Sequence, residues 1–273
     1  GLKVLFIDLD GTVVHYGSFP SPPSPLVALP ASATGKVGTL SSGTLRMLQH
    51  VADSGVPVVV LSGARTRTVR QRAELLPMAS AFATENGGRV LRRGAGGELV
   101  EDEAWARHVA SHEEQTRALA AIRGELEGEG WAIDTDDYKT MLRLQLSRSP
   151  SSLTPPDAAR VGPHLRAAAN LDAVDVRVAC SGKRHAAAYL AGAYGGGAGL
   201  GECGFMCDDD NDVELAGEVG VLLVLSPCTP ALDAAAAARG GELVTLRAPP
   251  GVEAHAASEH LLGQLVGSVL GMA

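Results

Sequence analysis

Val4-Leu5-Phe6-Ile7-Asp8-Leu9-Asp10-Gly11-Thr12 is the stretch on which the fold turns. Its apolar start reads as a buried strand. Two carboxylates follow, one residue apart, and Gly11 then permits a sharp turn. Asp8 and Asp10 therefore stand at the carboxyl end of a strand, where open α/β sheets bind their ligands. Carboxylates this close repel unless a cation lies between them or one takes a proton. A hard divalent ion such as Mg2+ suits oxygen donors of this kind.

Outward from this stretch, short apolar runs alternate with helical patterns, which predicts a parallel sheet with crossover helices. Further strands are expected over 56–61, 81–84, 204–207, 219–225 and 242–246. Several run straight into polar residues, Ser62, Glu85 and Asp208, which points to one shared site along the carboxyl edge. The middle of the chain differs. It predicts a hairpin over 88–100 and a long helix over 101–127, with Trp105, Val109, Leu119, Ile122 and Leu126 inward. Strands over 131–134 and 140–146, a helix over 157–170 and a strand over 174–179 complete it. The expected organisation is a discontinuous sheet domain, 1–87 with 181–273, interrupted by an α+β domain over 88–180. Two segments, 18–39 and 192–204, read as loose from their Pro, Ser and Gly content.

Hydrophobic residues make up 45% of 273, enough for a sizeable core. A formal net charge of -8 argues against broad nucleic-acid binding, which needs a basic footprint. The longest apolar run, Val221 to Leu225, is strand-sized, so no membrane span is expected. Four cysteines are too few for a disulfide framework in this length, and the chain has no Asn-X-Ser/Thr sequon. Both facts favour a reducing compartment, the cytoplasm or an organelle interior. The start at Gly1 leaves a removed targeting peptide open.

Asp8 is the candidate nucleophile, since a carboxylate can attack phosphorus and split a hard hydrolysis into two easier steps. Asp10 is the candidate general acid for the leaving oxygen, then base for water. The plainer alternative is two acids capping a strand. Ser62-Gly63 follows the second strand, and a hydroxyl beside backbone N–H groups can cradle a phosphate, although taken alone the motif reads more simply as an N-cap serine. Lys183 opens a predicted helix and could neutralise both Asp8 and an incoming phosphate. Cys207-Asp208-Asp209-Asp210-Asn211-Asp212 carries four acids in five residues at a strand end. The helix dipole explains one or two of these, not four. Asp208 is best set as a direct Mg2+ ligand, with Asp212 helping directly or through water, and Asn211 holding Ser62 or the lysine. Other patterns fail. Gly199-Leu200-Gly201-Glu202-Cys203-Gly204 precedes a strand instead of following one, so it is no dinucleotide fingerprint. His108 and His112 lack the glutamate of a zinc protease, and Cys203 and Cys207 lack a partner pair for zinc.

Taken in order, Asp8-Leu9-Asp10-Gly11-Thr12, Ser62-Gly63, Lys183 and Asp208 to Asp212 resemble the four motifs of the haloacid dehalogenase superfamily. An insert between the second and third motifs resembles the Cof-like IIB subfamily, as does Glu85-Asn86-Gly87 at the junction. The run from Ser181 to Leu190 is similar to the third motif of sucrose-phosphate phosphatases. The resemblance implies a Rossmann-like core, a mobile α+β cap and Mg2+-dependent phosphomonoester hydrolysis. It implies Asp8 as nucleophile, Asp10 as acid and base, Ser62 and Lys183 on the phosphate, and a metal held by Asp8, the Asp10 carbonyl and Asp208. The chain departs from the pattern at Cys207, where a glycine is usual, at Arg65, which sits one place late, and at Arg184.

The substrate expected is a small phosphomonoester, with sugar phosphates leading. Tyr138, Lys139 and Arg143 lie on or beside predicted strands of the insert and are candidates to contact it, with Glu85 and Asn86 at the junction. A phosphomutase sharing the aspartyl-phosphate is the first rival, and a non-catalytic metabolite-binding module the second.

Overall fold

The computed structural model describes residues 1–31, 35–134, 136–170, 172–240 and 243–271. In chain order its elements begin with β1 (Leu5–Asp8), β2 (Leu26–Ala28), β3 (Thr39–Ser41), α1 (Ser42–Asp53), β4 (Val58–Leu61), α2 (Thr66–Ala73) and β5 (Ala79–Thr84). Then come β6 (Arg89–Arg93), β7 (Leu99–Glu101), α3 (Glu103–Ala110), α4 (Glu113–Glu129), β8 (Ile133–Asp134), β9 (Met141–Gln145), α5 (Ala158–Val161), β10 (Leu165–Asn170) and β11 (Ala173–Val178). The chain ends through α6 (Lys183–Tyr194), β12 (Gly204–Cys207), α7 (Val213–Ala216), β13 (Val221–Val224), α8 (Pro230–Ala237), β14 (Val244–Arg247) and α9 (Ala254–Gln264).

An eight-stranded sheet runs in the order β14-β13-β12-β1-β4-β5-β6-β7. Its strands from β14 to β5 are parallel, and β6 and β7 close the edge antiparallel. The apolar runs are continuous because both faces are covered. Phe6, Val59 and Leu61 enter one core, while Leu5, Ile7, Val58 and Val60 enter the other, as strand alternation demands. The chain leaves β1 for β4 on one side and returns to β12 on the other. The crevice where the order reverses lies beyond the carboxyl end of β1. A second sheet, β10-β11-β9-β8, is antiparallel and packs with α3 and α4 on the first core. The α/β architecture with an inserted antiparallel sheet is the one expected.

Four expectations need correction. The hairpin over 88–100 forms, but it pairs with β5 and extends the large sheet instead of joining the inserted one. The long helix over 101–127 is two helices. Asp102 caps α3 by accepting from the Trp105 N–H at 3.0 Å. At the break, Ser111 donates to the His108 carbonyl at 2.7 Å, an interaction that competes with the helix ladder. The inward set, Trp105, Val109, Leu119, Ile122 and Leu126, is buried as expected. The helix over 157–170 is only α5, ended by Gly162 at φ 73° and Pro163, and β10 follows. Pairing with β11 overrides the helical preference of its three alanines. The loose 18–39 segment contains β2, which pairs with β3, although residues 32–34 lie outside the described residues. The last strand is found over Val244–Arg247, and Glu242 of the expected strand also lies outside them.

Candidate active site

Asp8 ends β1 and is buried. Behind it the chain closes a tight turn in which the Leu9 carbonyl accepts from the N–H groups of Thr12, Val13 and Val14. Gly11 sits there at φ 87°, and any Cβ at this position would collide with the Asp208 carboxylate. β12 lies beside β1 and delivers Asp208 to the same edge. Thr12 Oγ1 donates to Asp208 Oδ1 at 2.6 Å.

Carboxylate oxygens of Asp8, Asp208 and Asp212 lie within 4.8 Å of one another, among the described residues a grouping able to hold a metal. Lys183, at the start of α6, reaches into this group. Its Nζ lies 2.9 Å from Asp8 Oδ1 and donates to Asp212 Oδ1 at 2.6 Å and Asn211 Oδ1 at 2.7 Å. Burial raises the Asp8 carboxyl well above the carboxylate range; Lys183 opposes the rise, while Asp212 and Asp208 add to it. Asp208 and Asp212 are raised for the same first reason. Burial alone would lower the Lys183 ammonium, but Asp212 and Asp8 outweigh it and hold it firmly protonated. One ammonium thus faces three crowded carboxyl groups. Their donors are hard oxygens and their ionised forms lack compensation, which fits a divalent cation. Cys207, just before the acids, is buried and its thiol is pushed up, first by burial and then by Asp212.

The side chain of Asp10 does not join this group. Arg72 Nη1 donates to both its carboxylate oxygens at 2.7 Å, and the Tyr16 hydroxyl donates to Oδ1 at 2.5 Å. Arg72 Nη2 in turn donates to Tyr16 at 2.6 Å.

Ser62 follows Leu61, which pairs with Asp8 across β1 and β4. The Ser62 Oγ accepts from the Ala64 N–H at 3.1 Å, and its carbonyl accepts from the Asn86 N–H at 3.0 Å. Glu85 and Asn86 both hold left-handed backbone, at φ 54° and 52°. That strain is held by the fold around it. Glu85 Oε2 accepts from the N–H groups of Lys139 and Thr140 and from the Thr140 hydroxyl, each at 2.8 Å. Its carboxylate is thus committed to the β8–β9 turn. Asn86 Nδ2 donates to Asp175 at 2.8 Å, while its Oδ1 is buried without a partner. Asp175 also accepts from Arg143 at 2.7 Å through two nitrogens and from Asn170 at 2.7 Å. A Cβ on Gly63 would meet Asn86 Oδ1 at 2.8 Å, Asn170 Nδ2 at 3.0 Å and Arg143 Nη2 at 3.4 Å, so side chains from the inserted sheet converge on this glycine.

Arg143 and Asn86 therefore stand over the Ser62-Gly63 turn. The Tyr138 ring lies between the guanidiniums of Arg65 and Arg143, at 5.4 and 5.3 Å, and Arg65 pairs with Asp134. Lys139 is exposed and lines a different cavity. Arg72, Tyr16, Asn170 and Asp175 escaped the sequence reading. Only Asp175 left a signal there, as a lone acid inside an apolar strand.

No protein-family model matches the chain, and no curated protein does. Solved structures do match. The sucrose-phosphatase of Synechocystis aligns with a TM-score of 0.61 at 13% identity over 97% of both chains. A haloacid dehalogenase subclass IIB sugar phosphatase aligns with a TM-score of 0.54 at 14% identity, over 85% of this chain and 91% of its own. Protein 0175 of Thermoplasma acidophilum aligns at 0.62 and 12% identity over 99% of both. At such identities the likeness is one of fold. The molecule is a parallel-sheet α/β protein with an acidic site at its topological switch point and an inserted antiparallel sheet. More particularly, its fold is similar to that of a haloacid dehalogenase subclass IIB sugar phosphatase and to that of a sucrose-phosphatase.

Proposed function

We propose that this protein is a Mg2+-dependent phosphomonoester hydrolase that works through an aspartyl-phosphate on Asp8. One observation carries this reading: a buried lysine bridges Asp8 and Asp212 beside Asp208 at the carboxyl edge of the sheet. The side chains of Asp8, Asp208 and Asp212 and the Asp10 carbonyl would hold Mg2+, which supplies positive charge opposite the phosphoryl oxygens. The Asp8 carboxylate attacks phosphorus in line, and the bond from phosphorus to the substrate oxygen breaks. Ser62 Oγ and the N–H groups of its turn hold phosphoryl oxygens. Asp10 gives its proton to the departing oxygen. It then takes a proton from the water that attacks the aspartyl-phosphate, so phosphate leaves and Asp8 is restored. For this, Asp10 leaves its pairing with Arg72 and Tyr16 and takes up a proton from solvent before it meets the substrate oxygen.

The segment from α3 to β11 serves as the cap that excludes bulk water. The cations near the turn are already compensated, Arg143 of this segment by Asp175 and Arg65 of the core by Asp134. A leaving group there meets paired charges rather than a free cation, which favours a neutral, hydroxyl-rich group. A sugar phosphate is the substrate class proposed.

Phosphate release from a panel of sugar phosphates, nucleotides and flavin phosphate, with and without Mg2+, tests the reading. Metal-dependent release that Asp8→Asn abolishes is expected. Sugar bisphosphate formation with little free phosphate would instead identify a mutase, and no turnover of any substrate would remove the hydrolase.

A further inference from the structure

Between α2 and β6 of the core and the β8–β9 turn of the inserted sheet lies a cavity of about 400 Å3. Arg67 and Arg70 enter it from α2, Arg89 from β6 and Lys139 from the β8–β9 turn. Its acids are Glu74 and Asp137, so the lining carries a surplus of two positive charges in a chain whose formal net charge is -8. Arg89 is compensated by Glu101, through two bonds of 2.8 Å, with Glu85 at 3.7 Å. Of the other three, Arg70 and Lys139 feel Glu101 only as a weaker attraction behind its bonds to Arg89. Arg70 gives one hydrogen bond to the Leu99 carbonyl, at 2.6 Å. The side chains of Arg67 and Lys139 make no ion pair or hydrogen bond among the described residues. Like charges drawn together around a concave surface focus a positive potential and attract an anion. Guanidiniums present forked donors that match carboxylate or phosphate oxygens.

The position of the cavity gives its occupancy a consequence. Thr66 lines it and also contacts Glu85 Oε1 at 3.4 Å, and Glu85 grips the Lys139 and Thr140 amides. An anion shared by Arg67, Arg70 and Lys139 would thus tie α2 of the core to the same turn that Glu85 holds. We propose that this cavity binds a small multivalent oxyanion, and that binding fastens the inserted sheet to the core. The ligand is a metabolite bearing phosphate or several carboxylates.

The test uses the full chain, freed of metal on a chelating resin, with sulfate and citrate as probes against chloride at matched ionic strength. Calorimetry should find one saturable site for at least one probe. Response to sulfate assigns the ligand to the phosphate class, and response to citrate alone to the polycarboxylates. Arg67→Ala/Lys139→Ala should weaken Kd at least tenfold, whereas Arg67→Lys retains most of it and Ser62→Ala all of it. Hydrogen exchange over residues 136–140 should slow with the probe in the unmodified protein and not in the double variant. Saturable binding that survives the double variant but is lost in Ser62→Ala would put the anion in the catalytic turn and overturn the proposal. So would the absence of saturable binding by either probe, or binding without a change in exchange over 136–140.

Discussion

An ammonium has three N–H bonds to give, and Lys183 directs them to Asp8, Asn211 and Asp212. As it stands, the lysine therefore organises carboxylates, and a phosphoryl oxygen reaches it only by displacing one of them. Breaking a buried ion pair from one side costs about 3–5 kcal/mol. Lys183→Met should destabilise the metal-free protein by an amount of that order, read as a lower thermal midpoint, and abolish phosphate release. Unfolding scans and the phosphate assay check both, and an unchanged midpoint would mean that Asp8 and Asp212 do not need the cation. Thr12 tests the other acid. Its hydroxyl orients Asp208 at 2.6 Å, and partners that orient a metal ligand are typically worth about 10–100-fold in metal affinity. Thr12→Val should raise the Mg2+ concentration for half-maximal stabilisation by roughly that factor. No change would show that the hydroxyl does not set the carboxylate. At this scale much was legible. Asp8, Asp208, Asp212, Asn211 and Lys183 meet as their motifs suggest, because each sits at a strand end or helix start whose position the apolar pattern dictates. Arg72 was not legible. Its partner Asp10 lies 62 residues away, and nothing local distinguishes this arginine from its neighbours Arg65, Arg67 and Arg70.

The turn after β1 is held from behind by α9. Ser258 Oγ donates to the Thr12 carbonyl at 2.6 Å, so the His15 Nε2, 2.9 Å away, is the donor to the serine oxygen. The His15 and His255 rings meet edge to face at 4.7 Å, and His255 Nε2 lies 3.0 Å from Thr39 Oγ1. Burial first, and His255 second, lower the His15 imidazole to about 3, and burial also lowers His255. The unfolded chain takes these protons near pH 6.5, while the folded one refuses them until far lower. Stability should therefore be full above about pH 6.5 and fall as the pH drops toward 3. His15→Gln should flatten that slope in denaturant unfolding followed from pH 7 to 4, and an equal slope in both proteins would assign the loss to other groups. The elements themselves divide by what decides them. Strands buried on both faces were plain in the sequence as short apolar runs rich in Val, Ile, Leu and Phe, whereas the apolar runs inside α4 and α6 are rich in alanine. β10 was not, because Leu165-Arg166-Ala167-Ala168-Ala169-Asn170 has no strand pattern of its own and is extended only through its pairing with β11.

Across the whole molecule, the inserted sheet rests on the core through apolar packing and through polar contacts that gather at the site. Arg143, Asn170 and Asp175 stand over Gly63 and Asn86, and the Trp105 indole donates to the Gly87 carbonyl at 3.1 Å. In the hydrolase proposed, substrate entry would require part of this seam to part, so its strength would have to exclude water yet allow release. Glu85 sets one side of that balance without touching the reacting groups. Its carboxylate collects three donors from one turn, and a hydrogen bond to a charged acceptor contributes roughly 1.5–3 kcal/mol. Glu85→Gln keeps the shape but removes the charge, and its amide nitrogen cannot accept from the turn. If the charged contacts are what hold the turn, the Lys139 and Thr140 amides should exchange roughly 10- to 150-fold faster in the variant. Amides of β1 and β4 should be unaffected, since those strands are paired on both sides within the large sheet. Faster exchange throughout the molecule would mean that Glu85 supports the core as a whole through its left-handed backbone, whereas no change at the turn would mean that contacts such as Asn86–Asp175, Arg143–Gly63 and Trp105–Gly87 hold the inserted segment without it.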